Sequence, residues 1–142
     1  MKIKDIMSTD IACVGEDDSV ERAARLMQQY DVGSIPVCAH QHVIGIVTDR
    51  DIALRSVAEG QNPAQTVRDV MTYNPVTGDP QMDVDDAARL MSQHQIRRLP
   101  IVENNQLVGI VALGDISLEP GLQEEAENAL KNISQPGGSS LR

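Results

Sequence analysis

Gly45-Ile46-Val47-Thr48-Asp49-Arg50-Asp51-Ile52 is the stretch from which the fold of this chain can be read. It closes an apolar run, Val43 to Val47, that predicts a buried strand, and a helical pattern begins directly after Thr48. Thr48 and Asp51 therefore face a strand-to-helix junction. Such a junction has unpaired backbone N–H groups that suit an anion such as phosphate, and a carboxylate can accept two hydrogen bonds from a ribose diol.

The same pair has a purely local interpretation. Thr-x-x-Asp at a helix start is the pattern of a capping box, in which Thr48 caps the helix and Asp51 bonds back to the Thr48 backbone. On this stretch alone the cap is the favoured interpretation, because most such pairs only cap helices. A second copy of the stretch shifts the balance toward a binding site.

The chain repeats itself, since residues 5–54 align with residues 69–118 without a gap at an offset of 64. Sixteen of the fifty aligned positions are identical. Two copies are too few for a solenoid, so we expect a duplicated unit that forms one pseudo-symmetric body. The identical positions include Ala23-Ala24-Arg25-Leu26-Met27 over Ala87-Ala88-Arg89-Leu90-Met91, Pro36 over Pro100, Gly45-Ile46-Val47 over Gly109-Ile110-Val111, and Asp51-Ile52 over Asp115-Ile116.

Each copy has the pattern β-α-β-β-α, which predicts an α+β fold because strands and helices do not alternate singly. Pro36 predicts that the first hairpin strand lies at a sheet edge or starts at this residue. The predicted helices cover 19–30, 49–58, 83–94, 112–118 and 122–133, and the predicted extended segments cover 10–14, 34–38, 43–47, 75–77, 98–102 and 107–111.

Four motifs that occur in order in both copies resemble those of tandem CBS domain proteins, the cystathionine-β-synthase domain pair or Bateman module. They are the Asp-Ile-Met or Asp-Val-Met opening, the Ala-Ala-x-Leu-Met helix, the Ile-Pro-Val or Leu-Pro-Ile strand and the Gly-Ile-Val-x-x-x-Asp-Ile close. The resemblance covers residues 1 to about 118. It divides the chain into repeat 1 (1–60), a linker (61–66), repeat 2 (67–120), a C-terminal helix (121–134) and a flexible tail (135–142).

The resemblance implies a regulatory module that binds AMP, ADP, ATP or S-adenosylmethionine in clefts between the repeats. In site 1, Asp51 would hold the ribose, Thr48 and the helix start the phosphate, and the extended segment of the other copy the adenine. Site 1 would comprise Thr48, Arg50, Asp51, Gly33, Ser34, Ile35, Pro75 and Val76. Site 2 would comprise Asp115, Arg97, Arg98, Leu99, Ile11 and Ala12.

The second copy departs from the first at its junction, where Ala112 replaces Thr48 and Gly114 replaces Arg50. Ala is a poor helix cap, yet Asp115 remains, which a role in capping alone does not explain. Arg97 and Arg98 together can neutralise a phosphate chain, or they are solvated surface charges. We therefore expect two unequal sites, of which the first is the more complete.

Composition narrows the function classes. The net charge of −9 argues against nucleic acid, and no apolar run is long enough to cross a membrane or to act as a signal peptide, so we expect a cytoplasmic chain. Cys13 and Cys38 lack the spacing of a zinc or redox motif and predict two reduced, packed thiols. For His40 and His42 a solvated loop tip is favoured over a metal site.

Three functions stay open at this point. The first is a non-catalytic regulatory module for adenosine-type ligands, with no required cofactor. The second is a structural dimerisation domain with empty clefts. The third, an enzyme, is disfavoured because the three His have no Ser, Cys or paired carboxylates at catalytic spacing. We also expect a homodimer formed through helices 19–30 and 83–94, and an effector protein as a further partner.

Overall fold

Packing divides the chain differently from the sequence repeat. The structure is a computed structural model in which residues 1–73 and 75–135 are described. One compact unit is Ala12–Pro75, here called the first unit; Met1–Ile11 and the chain from Val76 onward form the second unit. The opening residues of each repeat thus pack with the other repeat. Most of the predicted flexible tail, residues 136–142, lies outside the described residues.

The first unit is built around a three-stranded antiparallel ladder, in which β2 pairs with β1 on one side and with β3 on the other. Its elements are α1 (Val20–Tyr30), β1 (Ser34–Ala39), β2 (His42–Thr48), α2 (Asp49–Ile52) and β3 (Thr72–Tyr73).

The second unit repeats this plan and adds a helix. β4 and β5 form an antiparallel hairpin, and Ser8 bridges to Ile110 as Thr72 pairs with Ile46 in the first unit. The predicted α+β class is confirmed. Its elements are α3 (Val84–His94), β4 (Arg98–Glu103), β5 (Gln106–Ala112), α4 (Leu113–Ser117) and α5 (Gln123–Ile133).

Two of the extended segments were placed wrongly by the sequence. The first strand of repeat 2 is Thr72–Tyr73 instead of 75–77, where Pro75 has no N–H to offer a ladder. In the segment 10–14 only Val14 makes a bridge, a parallel one to Val37. Among residues 1–73 and 75–135 this is the single bridge on that side of β1. It avoids the missing N–H of Pro36, because the Pro36 carbonyl accepts from Val14 N–H.

Both hairpins turn through two residues with positive φ. These are His40 and Gln41 (53° and 71°) in the first unit and Asn104 and Asn105 (52° and 65°) in the second. Two central residues with positive φ match the twist of the flanking strands, as in a type I′ turn. The turn predicted at Asn104-Asn105 is confirmed.

The predicted helix 49–58 is only partly α-helical. α2 ends after Ile52, and Ala53–Val57 follow as a π-helical segment in which Ala58 N–H donates to the Ala53 carbonyl. A four-residue α-helix sums few peptide dipoles. The expectation that its dipole attracts phosphate is therefore weakened.

The helix α5 covers one face of α3. Ala126, Ala129 and Ile133 of α5 are buried in the core of the second unit, and Gln95 Nε2 donates to the Asn132 carbonyl at 2.7 Å. Ala88 on α3 is consequently buried, whereas its repeat counterpart Ala24 on α1 is exposed.

Candidate functional site

The first junction lies where β2 passes into α2, and it is held against the start of β1. Ser34 pairs with Thr48 and Ile35 with Val47, while Asp49 N–H donates to the Gly33 carbonyl at 2.9 Å. The structure therefore brings Gly33, Ser34 and Ile35 beside Thr48, as the resemblance implied. Ile35 is a core residue, so only its backbone is available to a ligand.

Thr48 and Asp51 form the capping box that the sequence pattern predicts. Asp51 N–H donates to Thr48 Oγ1 at 3.0 Å, and Thr48 N–H donates to Asp51 Oδ2 at 3.0 Å. Both side chains are buried, with Asp51 only 2% exposed. The cap occupies one carboxylate oxygen of Asp51 and leaves Oδ1 outside it.

Asp51 Oδ1 faces a cation that the sequence analysis did not single out. Arg55 Nε lies 4.0 Å from it, and Arg55 Nη1 donates to the Val70 carbonyl at 3.0 Å. Burial raises the pKa of Asp51 above its ordinary value, and this is opposed by the hydrogen bonds with Thr48 and by the charge of Arg55. The carboxylate is thus held in a dry setting where its charge is costly.

Thr72 is a second residue that sequence reasoning missed. It pairs with Ile46, so its side chain shares a face of the ladder with Ile46 and, two residues further, with Thr48. Its hydroxyl oxygen is buried and has no hydrogen-bond partner among the described residues. β3 runs antiparallel to β2, so the register places Thr72 nearer the level of Thr48 than Tyr73 is.

The remaining candidates of site 1 are less tightly placed. Arg50 is exposed on α2, and its backbone N–H donates to Asp49 Oδ1. Pro75 is half-buried at the end of the first unit. Val76 belongs to the second unit, where it packs against that unit's core.

The second junction reproduces the backbone frame of the first. Leu113 N–H donates to the Arg97 carbonyl at 2.8 Å, as Asp49 N–H does to Gly33, and Arg98 pairs with Ala112. Ala112 N–H donates to Asp115 Oδ2 at 2.9 Å. Asp115 thus keeps one arm of the cap although Ala112 has no hydroxyl. The argument that capping cannot explain Asp115 is therefore wrong.

Arg98 brings a half-buried cation to the second junction. Burial lowers its pKa, which the nearby negative charge of Asp115 opposes, and its Nε is buried without a hydrogen-bond partner among the described residues. In the first unit this position is Ser34, and the cation near the carboxylate is Arg55 from the helical side. The positive charge therefore comes from the strand at one junction and from the helix at the other.

The other candidates of site 2 differ in exposure. Arg97 is exposed, as a solvated surface charge would be, and Leu99 is fully buried in the core. Ile11 is half-buried, and Ala12 belongs to the first unit, where it packs against that unit's core. Asp115 is half-buried, whereas Asp51 is buried.

The junction geometry and the doubled motifs agree with a comparison against known families, in which the CBS domain matches twice, at residues 3–57 and 67–119. The chain belongs to the CBS domain family. It is 49% identical over 132 residues to the CBS domain-containing protein YhcV of Bacillus subtilis (strain 168), which covers 93% of this chain and 94% of that protein.

Solved structures of CBS domain pairs have the same fold. The CBS domain pair of protein MJ0100 in complex with 5′-methylthioadenosine and S-adenosyl-L-methionine matches with a TM-score of 0.74 at 30% identity, covering 82% of this chain and 93% of that one. CBSX2 in complex with AMP matches with a TM-score of 0.71 at 28% identity, covering 80% and 91%. Structures of this family are thus known with adenosine-type ligands.

Among residues 1–73 and 75–135, no three His, Cys, Asp or Glu side chains form a group that could hold a metal ion, and His40 and His42 are exposed. No helix in this part of the chain has the length and apolar character needed to cross a membrane.

Proposed function

We propose that this chain is a regulatory module without catalysis of its own, and that it binds an adenosine-type ligand at its strand-to-helix junctions. AMP, ADP, ATP and S-adenosylmethionine are the candidates. The ligands of CBSX2 and of the MJ0100 pair support this class of ligand. We also propose that the module acts in the cytoplasm and that it regulates a separate effector protein.

One observation carries the proposal: each unit has a buried polar atom without a partner at its junction. In the first unit it is Thr72 Oγ1, on the same face of the ladder as Thr48, and in the second it is Arg98 Nε beside Asp115. A buried polar group that lacks a hydrogen bond costs about 1–3 kcal/mol. Capping explains Asp51 and Asp115 but neither of these atoms, whereas a polar ligand would satisfy both.

The roles follow from the chemistry of each group. Asp51 Oδ1 and the corresponding oxygen of Asp115 would accept from ribose hydroxyls, because Oδ2 is engaged by the cap at both junctions. Thr72 and Thr48 would bond polar atoms of the ligand at the first junction. Arg98, with Arg97 next to it, would hold a phosphate at the second, since guanidinium groups bind phosphate through paired hydrogen bonds.

The experiment is calorimetric titration of AMP, ADP, ATP and S-adenosylmethionine into the parent, Asp51→Ala and Asp115→Ala, after a thermal-shift survey. Loss of a carboxylate that holds a diol should remove about 1.5–3 kcal/mol of binding, or roughly tenfold to over a hundredfold in affinity. We expect Asp51→Ala to lower the affinity more than Asp115→Ala does, because the first junction has the hydroxyls of Thr48 and Thr72. Circular dichroism controls for folding, and Asp85→Ala, which removes an exposed carboxylate in the first turn of α3, is the matched control.

The other outcomes are equally informative. If Asp115→Ala abolishes binding while Asp51→Ala is silent, the main site is the second junction, where the carboxylate is less buried and Arg98 lies close. If neither variant changes the affinity, both carboxylates are caps and the proposal fails.

A structural dimerisation domain is the second candidate, and the closure of Asp51 favours it. A carboxylate that is 2% exposed admits a ligand only if neighbouring side chains move. The thermal-shift survey separates the two functions, since a ligand at a hundred times its dissociation constant stabilises a protein by about 2.7 kcal/mol. No shift with any of the four ligands would leave the structural role.

A further inference from the structure

The two cysteines of the chain, 25 residues apart in sequence, lie side by side in the first unit. Val14 forms a parallel bridge with Val37, in which Val14 N–H donates to the Pro36 carbonyl at 3.1 Å and Cys38 N–H donates to the Val14 carbonyl at 2.8 Å. These two bonds tie the residue after Cys13 to the residue before Cys38. Both thiols are free, as the sequence predicts, but Cys13 is exposed and Cys38 is only half-buried, so Cys13 is not the packed thiol that was expected.

The two cysteines are diagonal neighbours across this bridge, with Cys13 one residue before it and Cys38 one residue after it. Val14 and Val37 point into the core, so Cys13 and Cys38, their direct neighbours in extended chain, point to the opposite face. The register shift beside Val37 arises from an extra residue on β2, Ile44, so β1 itself runs from Val37 to Cys38 without an inserted residue. Cys13 lies close enough to Cys38 to contribute to the raised pKa of the Cys38 thiol.

We propose that Cys13 and Cys38 form a reversible intramolecular disulfide when the chain meets an oxidising low-molecular-weight disulfide such as oxidised glutathione. Neither residue belongs to the candidate ligand sites, so the proposal is independent of nucleotide binding. The bond would covalently join the segment 10–14, which contains Cys13, to β1.

The exposures of the two thiols give the order of the steps. Cys13 is exposed, while burial and the neighbouring Cys13 raise the pKa of Cys38 to about 12. Because the thiolate is the nucleophile, Cys13 attacks first. Its sulfur bonds to one sulfur of the small disulfide, and the other half leaves as a thiolate.

The second step closes the bond within the chain. The Cys38 thiol gives its proton to the released thiolate and attacks the Cys13 sulfur, which expels the second small thiol. Overall, two cysteine thiols lose two hydrogens and two electrons, and the small disulfide gains them as two thiols. A disulfide across this span removes conformational freedom from the unfolded chain, so the oxidised form should melt several degrees higher.

The test treats the reduced full chain with oxidised glutathione and follows intact mass, free thiols and migration on non-reducing gels. We expect a monomeric chain lighter by two hydrogens, with no free thiol, a higher melting temperature and full reversal by dithiothreitol. A chain that keeps glutathionyl groups on both cysteines without closing a bond would overturn the proposal. So would a covalent dimer.

Single-cysteine variants separate the two thiols. In Cys38→Ser, Cys13 should acquire one glutathionyl group and stop there, and its melting temperature should not rise. In Cys13→Ser, the remaining Cys38 should react more slowly than Cys13 does in Cys38→Ser. Equal reaction rates would overturn the proposed order of attack, and circular dichroism of both reduced variants verifies that they fold.

Discussion

Asp51 holds a charge where water has little access, and this has a consequence for stability. Its pKa is raised by burial, so the folded chain binds the proton more tightly than the unfolded chain does. Stability from this residue is therefore greatest when it is protonated and is lost as the pH rises through its raised pKa.

For Asp51→Asn we expect the free energy of unfolding to rise relative to the parent as the pH increases. The amide keeps an oxygen that can accept from Thr48 N–H but avoids the buried charge. Urea unfolding at a series of pH values, starting below the ordinary aspartate pKa of 3.8, measures the difference. A difference between variant and parent that is constant with pH would contradict the buried-charge interpretation.

At the scale of elements, close backbone approach explains the glycines shared by the two copies. A Cβ on Gly45 would lie 2.7 Å from the Thr72 carbonyl oxygen, and one on Gly109 would lie 2.6 Å from Met7 Sδ and 3.0 Å from the Ser8 carbonyl oxygen. At both positions the middle strand of a unit meets the opening segment of the other repeat. The glycines therefore allow the exchange of opening segments between the repeats.

Gly45→Ala should destabilise the chain, because the β3 backbone would have to move to avoid the new methyl group. Overpacking of this kind costs typically about 1–3 kcal/mol. Gly114→Ala is the matched control: nothing lies within 4 Å of a Cβ there, and Ala in a helix is more favourable than Gly by up to about 1 kcal/mol. Thermal or urea unfolding of both variants decides, and equal stability of Gly45→Ala and the parent would contradict the close contact.

At the scale of the whole molecule, the homodimer stays a prediction, and only one of the two helices that motivated it still supports it. The expectation rested on broad apolar arcs on both α1 and α3. The chain covers α3 itself with α5, so that arc has its partner already. Among the described residues of its unit, no helix covers the corresponding face of α1: Ala24 is exposed, and Leu54 and Val57 of the π-helical segment after α2 are 49% and 71% exposed.

We therefore expect light scattering at micromolar concentration to give the mass of a dimer, and Ala24→Arg to give a monomer. A charged side chain on a buried dimer face costs several kcal/mol unless it finds a partner. Asn128→Arg, on the exposed side of α5, is the control and should remain dimeric. A monomeric parent would exclude the dimer, and a dimeric Ala24→Arg would move the interface away from α1.

The sequence alone determined whatever depends on near neighbours along the chain. The duplication, the hairpins, the three long helices α1, α3 and α5 and the Thr48–Asp51 cap all follow from periodicity and from spacings of three or four residues. Local hydrogen bonds and side-chain period set these features, so the pattern carries them directly. The contact of Gly33 and Ser34 with Thr48 spans a hairpin, so local patterns do not predict it. In the sequence analysis it came only from the family resemblance.

Only the tertiary structure decided which distant segments meet. Arg55 reaches Val70, Thr72 lies beside Ile46, Cys13 contacts Cys38 and α5 covers α3, and none of these contacts has a signature in local spacing. Each depends on the chain folding back across long loops, where packing and register select the partner. For that reason the opening segment of each repeat packs in the unit of the other repeat. The burial of Thr72 Oγ1 and Arg98 Nε likewise depends on surrounding residues that the sequence does not place.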